Sequence, residues 1–384
     1  MKLAHVIATV LALAAGLRAE KLYYAYTSGT STGLAEIEVD RAKASIVAQR
    51  SLGVRADFGE FAALRVTPDG KRVVAIGRSA DAENVWIVEV AGERRTKTLK
   101  LPALPNFITA TDEGTFIASE RSVWRVDLLR ATTAAVYTAP QGARITALAA
   151  EFEHETITVA LAGLEGGARL VALRPGDLHV RFDIALGKEP AEIAWIAASE
   201  EDDCVIVADR GCSRVLVVSL DVDDKASAVR ARLECFAEGG VGALCFADAD
   251  ARRACAFDGS EHGCAVIDVR AAAIAARMDT PLRLATPVYL PAADVIAAVG
   301  RNERAVHVVS ATSEGSVRVS SVALPGPANC LAPVERSECI RVVVAGRDLE
   351  QAPILWLVDT VELKLEHSWP ALGGVLALAT ELDL

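Results

Sequence analysis

Short apolar runs recur along the chain, separated by compact polar breaks. They occupy positions 22–27, 73–78, 116–121, 157–160, 205–210, 254–258, 295–301 and 342–347, and most close on Gly, Asp or Arg. β-Branched and small apolar residues meeting a turn in this way predict buried strands. A few residues later each run has a second one that reads apolar, variable, apolar, acidic or Ser, apolar. Val85-Trp86-Ile87-Val88-Glu89, Val123-Trp124-Arg125-Val126-Asp127 and Leu355-Trp356-Leu357-Val358-Asp359 are the clearest copies, and the one near Leu170 is the weakest. Helical evidence is poor throughout, and only 271–277 has helical propensity.

Taking Ala35, Trp86, Trp124, Leu170, Leu216, Ala265, His307 and Trp356 as equivalent gives a mean repeat of about 46 residues, which suits a four-stranded propeller blade. The pattern therefore predicts an all-β protein, a β-propeller. Eight four-stranded blades are favoured, with seven allowed if one weak copy is an excursion. The N-terminal blade lacks its inner strand, while 375–382 reads as an inner strand with no blade after it. Pairing the two closes the ring and removes the free sheet edges.

Composition changes the picture in three ways. With 384 residues and 52% hydrophobic residues the chain can bury a large core, yet it has no internal linker or composition break, as expected of a repeat architecture. Residues 1–19 read as a signal peptide: Lys2, then a mostly apolar run from Leu3 to Leu17, then a small-residue exit at Ala14-Ala15-Gly16 or Leu17-Arg18-Ala19. The remaining 20–384 form a single domain with no further membrane span, and the expected location is secreted or periplasmic. The net charge of −11 argues against a nucleic-acid partner. A monomer is expected.

Eight cysteines occur and none forms a C-x-x-C pair, so zinc and dithiol redox motifs have no support. Cys245 and Cys255 flank one turn and Cys330 and Cys339 another. Each pair could bridge a hairpin in an exported protein, or serve as small buried apolar residues.

Leu22-Tyr23-Tyr24-Ala25-Tyr26-Thr27-Ser28-Gly29-Thr30 resembles the opening blade of the lactonase-like propellers, the 6-phosphogluconolactonase-type and YVTN-repeat proteins. Val66-Thr67-Pro68-Asp69-Gly70-Lys71-Arg72 resembles their S-P-D-G-K/R turn, and the segment from Val207 to Val215 through Asp209 and Arg210 resembles their P-D-L-G-x-D-R-V segment. The resemblance implies a propeller with His, Arg and Glu side chains around a central pocket. The stretch matching the family's G-P-R-H is Gly240-Val241-Gly242-Ala243, and 189–195 has no His. Acid–base chemistry on a lactone needs a proton carrier there. No catalytic residue is assigned, and no cofactor or metal is expected.

The most distinctive pattern is Arg78, Arg121, Arg210, Arg301 and Arg347, each following the end of the same strand in a different blade. Guanidinium groups at one rim could form a basic ring that draws anions to the channel mouth. Glu120, Asp209 and Asp258 end equivalent strands and complete the candidate ligand-binding set. The function expected is a non-enzymatic binding or protein-interaction scaffold, with a small anionic ligand or a protein as partner. The alternative is a lactonase-type hydrolase of sugar lactones with a rearranged site. A quinone-dependent dehydrogenase is a third reading that rests on the blade count alone.

Overall fold

The apolar runs pair as antiparallel neighbours. In the computed structural model, which describes residues 20–40, 42–79, 81–92, 94–151, 156–187, 193–199, 204–209, 213–220, 228–236, 240–246, 252–258, 263–278, 284–300, 303–311, 317–334 and 340–380, thirty-two strands form eight four-stranded sheets. The second blade runs from its innermost strand Glu60–Val66 through Arg72–Arg78 and Val85–Glu89 to the outermost Thr96–Leu99. The third to eighth blades repeat this order. The innermost strands touch one another round a closed ring and so surround a central channel.

The first blade is composite. Glu20–Ser28 pairs on one side with Ser31–Asp40 and on the other with Gly374–Thr380, so Tyr23 lies opposite Ala379 and Tyr24 opposite Leu378. The last strand is the inner strand that the N-terminal blade lacks, and its pairing leaves no open blade edge at the seam. Residues 1–19, read above as a signal peptide, lie outside the described residues. No helix among the described residues is long and apolar enough to cross a membrane.

The repeat register is regular. Tyr24 pairs with Ala35, Ala75 with Trp86, Val207 with Leu216, Ala256 with Ala265, Ala298 with His307 and Val344 with Trp356. Even the weak copy obeys it, with Ala160 opposite Leu170. The cores lie between blades. Trp86, for example, packs with Tyr23, Ala25 and Phe58 against the first blade, and its ring meets Phe58 edge-on at 5.7 Å. Gly53, at φ +147°, makes room for that ring, since a Cβ there would come within 3.0 Å of it. The recurrent tryptophans are thus packing elements, and each fully buried side chain of this kind contributes about 2 kcal/mol or more.

One expectation is corrected. The segment with helical propensity, 271–277, folds as a turn and the outermost strand Ala273–Met278, paired with Cys264–Asp268. Its side chains alternate between exposed and half-buried, so a sheet edge that needs a partner overrides the propensity of alanine.

Candidate functional site

The candidate arginines belong to the face where the innermost strands begin. Arg78 ends its strand opposite Glu60, the first residue of the innermost strand, and Arg347 ends the equivalent strand of the eighth blade opposite Pro353. In the third blade the matching position is Glu120, and Arg121 follows it. The arginine pattern thus shares one face but is staggered by a residue in that blade. Arg210 and Arg301 lie outside the described residues.

Each described arginine spends part of its guanidinium locally. Arg78 donates through Nε to Asn106 Oδ1 at 3.2 Å and through Nη1 to Glu60 Oε1 at 3.4 Å. Arg121 Nη2 donates to the carbonyls of Ala139 and Pro140, both at 3.3 Å. Arg347 Nη1 donates to the Gln351 carbonyl at 2.9 Å. Only Arg78 meets a carboxylate, and both partners of that pair are open to water, with side chains 43% and 74% exposed. Such a pair is weak. A guanidinium has five donors, so each of the three keeps donors for a ligand while its local bonds fix its position.

The acidic candidates do not converge. Glu120 is exposed in the third blade, and Asp258 is buried in the sixth, its N–H donating to the Gly263 carbonyl at 3.0 Å. Asp209 pairs through its main chain with Ile193 in the fifth blade. Among the described residues no group of three metal-ligating side chains comes together. His307, which stands where other blades carry Trp, is buried. Its Nε2 lies 2.7 Å from Glu303 Oε2 and its Nδ1 2.8 Å from Ser321 Oγ. The Glu303 carboxylate accepts from Nε2–H, and Nδ1 shares a hydrogen bond with the Ser321 hydroxyl.

Two features escape a reading of the sequence. A cavity of about 390 Å³ lies at the opposite face between the second and third blades, lined by Thr67, Asp69, Arg72, Glu113, Arg125 and Asp127. Its polar groups are committed to turns. Asp69 Oδ1 accepts the Thr67 hydroxyl at 2.6 Å and the Lys71 N–H at 3.1 Å, and Arg125 donates to the carbonyls of Glu113 and Gly176 at 2.7 and 2.9 Å. Partial burial would raise the Asp69 pKa, but those bonds and the Arg72 and Lys71 charges hold it below the usual carboxylate range. The second feature is Glu36, buried in the first blade, with Arg50 at 2.6 Å, Lys21 at 3.8 Å and Arg94 at 3.9 Å. Strand register alone places Tyr23 opposite Glu36; the approach of Arg94 from the next blade has no signal in the sequence.

Six of the cysteines are free thiols, five of them buried. Cys245 stands directly opposite Cys255, so the hairpin pairing is geometrically real while both thiols are reduced. Burial pushes the Cys235 and Cys330 thiols up to about 12. Cys339 lies outside the described residues.

No protein-family model and no curated protein sequence matches the chain. Solved structures do. A dihydro-heme d1 dehydrogenase, NirN, in complex with DHE superposes with a TM-score of 0.71 at 12% identity, over 93% of this chain and 74% of that one. Apo AztD from Citrobacter koseri gives 0.60 at 13% identity, over 94% and 97%. The WD40 repeats of RRP9 give 0.56 at 11% identity, over 76% and 88%. At these identities the likeness is one of fold, and it makes this chain a β-propeller without carrying over any neighbour's chemistry.

Proposed function

We propose that the chain is an exported, non-enzymatic binding scaffold that takes a small anionic ligand at the face where its innermost strands begin. The observation that carries this reading is the shared register of Arg78 and Arg347, with Arg121 one residue past the same position in the third blade. These cations come from separate blades, are held by local hydrogen bonds and keep donors to spare. Fixed guanidinium groups on one face act over a short range, because charges beyond about 8 Å are screened at physiological salt. The net charge of −11 therefore does not prevent local capture of an anion. Export is supported by the sequence pattern of residues 1–19.

The test is calorimetric titration of pyrophosphate into the full chain at low and physiological salt. Binding that weakens with salt, and weakens about tenfold or more in the Arg78→Ala/Arg347→Ala variant, supports the scaffold reading. Binding unaffected by both changes contradicts it.

A further inference from the structure

The buried blade-packing position is Trp86, Trp124 and Trp356 in three blades and His307 in the seventh. The register partner of His307 on the outermost strand, Val317–Ala323, is Ser321. In two of the tryptophan blades the same partner also carries a hydroxyl, with Thr98 opposite Trp86 and Ser368 opposite Trp356. An indole N–H only donates and offers no base. The seventh blade instead sets its hydroxyl against a ring nitrogen that can take a proton.

Three side chains are joined in a row. Ser321 Oγ lies 2.8 Å from His307 Nδ1, and His307 Nε2 lies 2.7 Å from Glu303 Oε2. The imidazole is held by its burial. Glu303 is held by its main chain, whose N–H donates to the Gly300 carbonyl and whose carbonyl accepts the Ala328 N–H, both at 3.2 Å. Gly300 is needed there, because a Cβ would collide with the Glu303 carboxylate. Ser321, by contrast, is exposed. The Leu324 N–H donates to the Arg304 carbonyl at 2.7 Å, and the register runs back from that pair to Ser321 without a shift. Alternation makes Ser321 and His307 a non-hydrogen-bonded pair, the kind whose side chains approach most closely. It also turns the Ser321 N–H away from the sheet, at the open edge of its last strand.

We propose that Ser321 is a nucleophile that takes an acyl group from activated esters, with His307 as its base and Glu303 as the residue that positions the base. A hydroxyl is activated by a base within hydrogen-bond reach that a third group orients, and this row has that geometry. In the neutral ring the Nε2 proton goes to Glu303, so the Nδ1 lone pair faces the hydroxyl. As Ser321 Oγ bonds to the acyl carbon, its proton passes to Nδ1 and the Glu303 carboxylate balances the imidazolium. The Ser321 N–H is a donor for the carbonyl oxygen as its charge grows. The ester C–O bond then breaks, and the departing oxygen takes the proton from Nδ1. The products are the chain acylated at Ser321 and a free alcohol or phenol. The step is one modification of the chain itself. It goes beyond the binding reading, is independent of the arginine face, and adds to the packing role of His307.

The experiment is incubation of the full chain with p-nitrophenyl acetate, read by p-nitrophenol release and by peptide mass mapping. An acetyl group is expected at Ser321, ahead of the slow background at lysines, and Ser321→Ala should lose it. His307→Gln should slow the reaction about a hundredfold. Glu303→Gln should slow it about tenfold or more, and Glu303→Asp should recover part of the rate. Ser368→Ala, at the same register in the eighth blade, should match wild type. Ser321 is exposed and Glu303 partly so, which keeps the test open if His307→Gln fails to fold. Acetyl groups found only on lysines overturn the proposal, as does Ser321 acetylated as fast in Glu303→Gln as in wild type. Pyrophosphate binding should be equal in Ser321→Ala and wild type, so failure of this proposal and failure of the anion-binding reading are told apart.

Discussion

The Tyr24 hydroxyl accepts a hydrogen bond from the Leu372 N–H at 3.2 Å, joining the first strand of the chain to the turn that precedes its last. The Gln49 side chain donates to the same oxygen. The seam of the ring is thus held by a buried side chain as well as by the strand ladder. Deleting the chain from Gly373 onward should expose the edge of Glu20–Ser28 and remove the burial of Val375 and Ala379, a loss of roughly 5 kcal/mol together with poorer solubility. Tyr24→Phe, which keeps the ring, should cost only about 1 kcal/mol. Urea unfolding of the three proteins checks both. A truncated chain as stable as the full one would show that the seam carries no load.

The buried protons at this seam and in the blade cores predict an alkaline weakness. Burial raises the Tyr24 hydroxyl from 10.0 to about 12 and the Cys235 and Cys330 thiols from 9.0 to about 12. A raised native pKa means that the folded state holds the proton more tightly than the unfolded chain. The stabilisation is therefore complete below pH 9 and is lost as pH rises toward 12. Unfolding midpoints should fall across that range, and less steeply in Tyr24→Phe. In the native protein at neutral pH these thiols should react with a disulfide reagent only as fast as the chain opens.

His307 replaces the blade-packing tryptophan with a polar ring held by Glu303 and Ser321. Its role is packing, so His307→Ala should lower stability by about 2 kcal/mol through the cavity it leaves. Anion binding by the same variant should match wild type. A change in binding without a change in stability would move His307 into a ligand site.

Sugar lactones should not be turned over above their spontaneous rate. The Gly240-Val241-Gly242-Ala243 stretch leads into the inner strand Val241–Phe246, where a lactonase-like pocket would need its proton carriers, and it supplies none. Robust hydrolysis that Glu120→Ala or Asp209→Ala abolishes would contradict this.

The blades were legible because their signal is local and repeated. An apolar run, a turn and a second run around Trp, Leu, Ala or His recur often enough that even the weak copy at Leu170 falls into register. The closure was legible from one missing and one surplus strand. The strand at Ala273–Met278 was hidden because alanines favour a helix until a sheet edge needs a partner. The candidate site was harder to read. The shared face of Arg78 and Arg347 follows from repeat spacing, but the partners Asn106, in the loop leading into the next blade, and Gln351, in a turn, do not, and Glu60 meets Arg78 only through the pairing of the inner strand.

The central claim is that an acidic propeller gathers fixed positive charge at the face where its innermost strands begin. The most direct measurement is anomalous scattering from crystals of the full chain soaked in bromide. The account predicts bromide ions at the face carrying Arg78, Arg121 and Arg347. Bromide distributed only over the opposite face and the outer strands, with none near these three arginines, would contradict it.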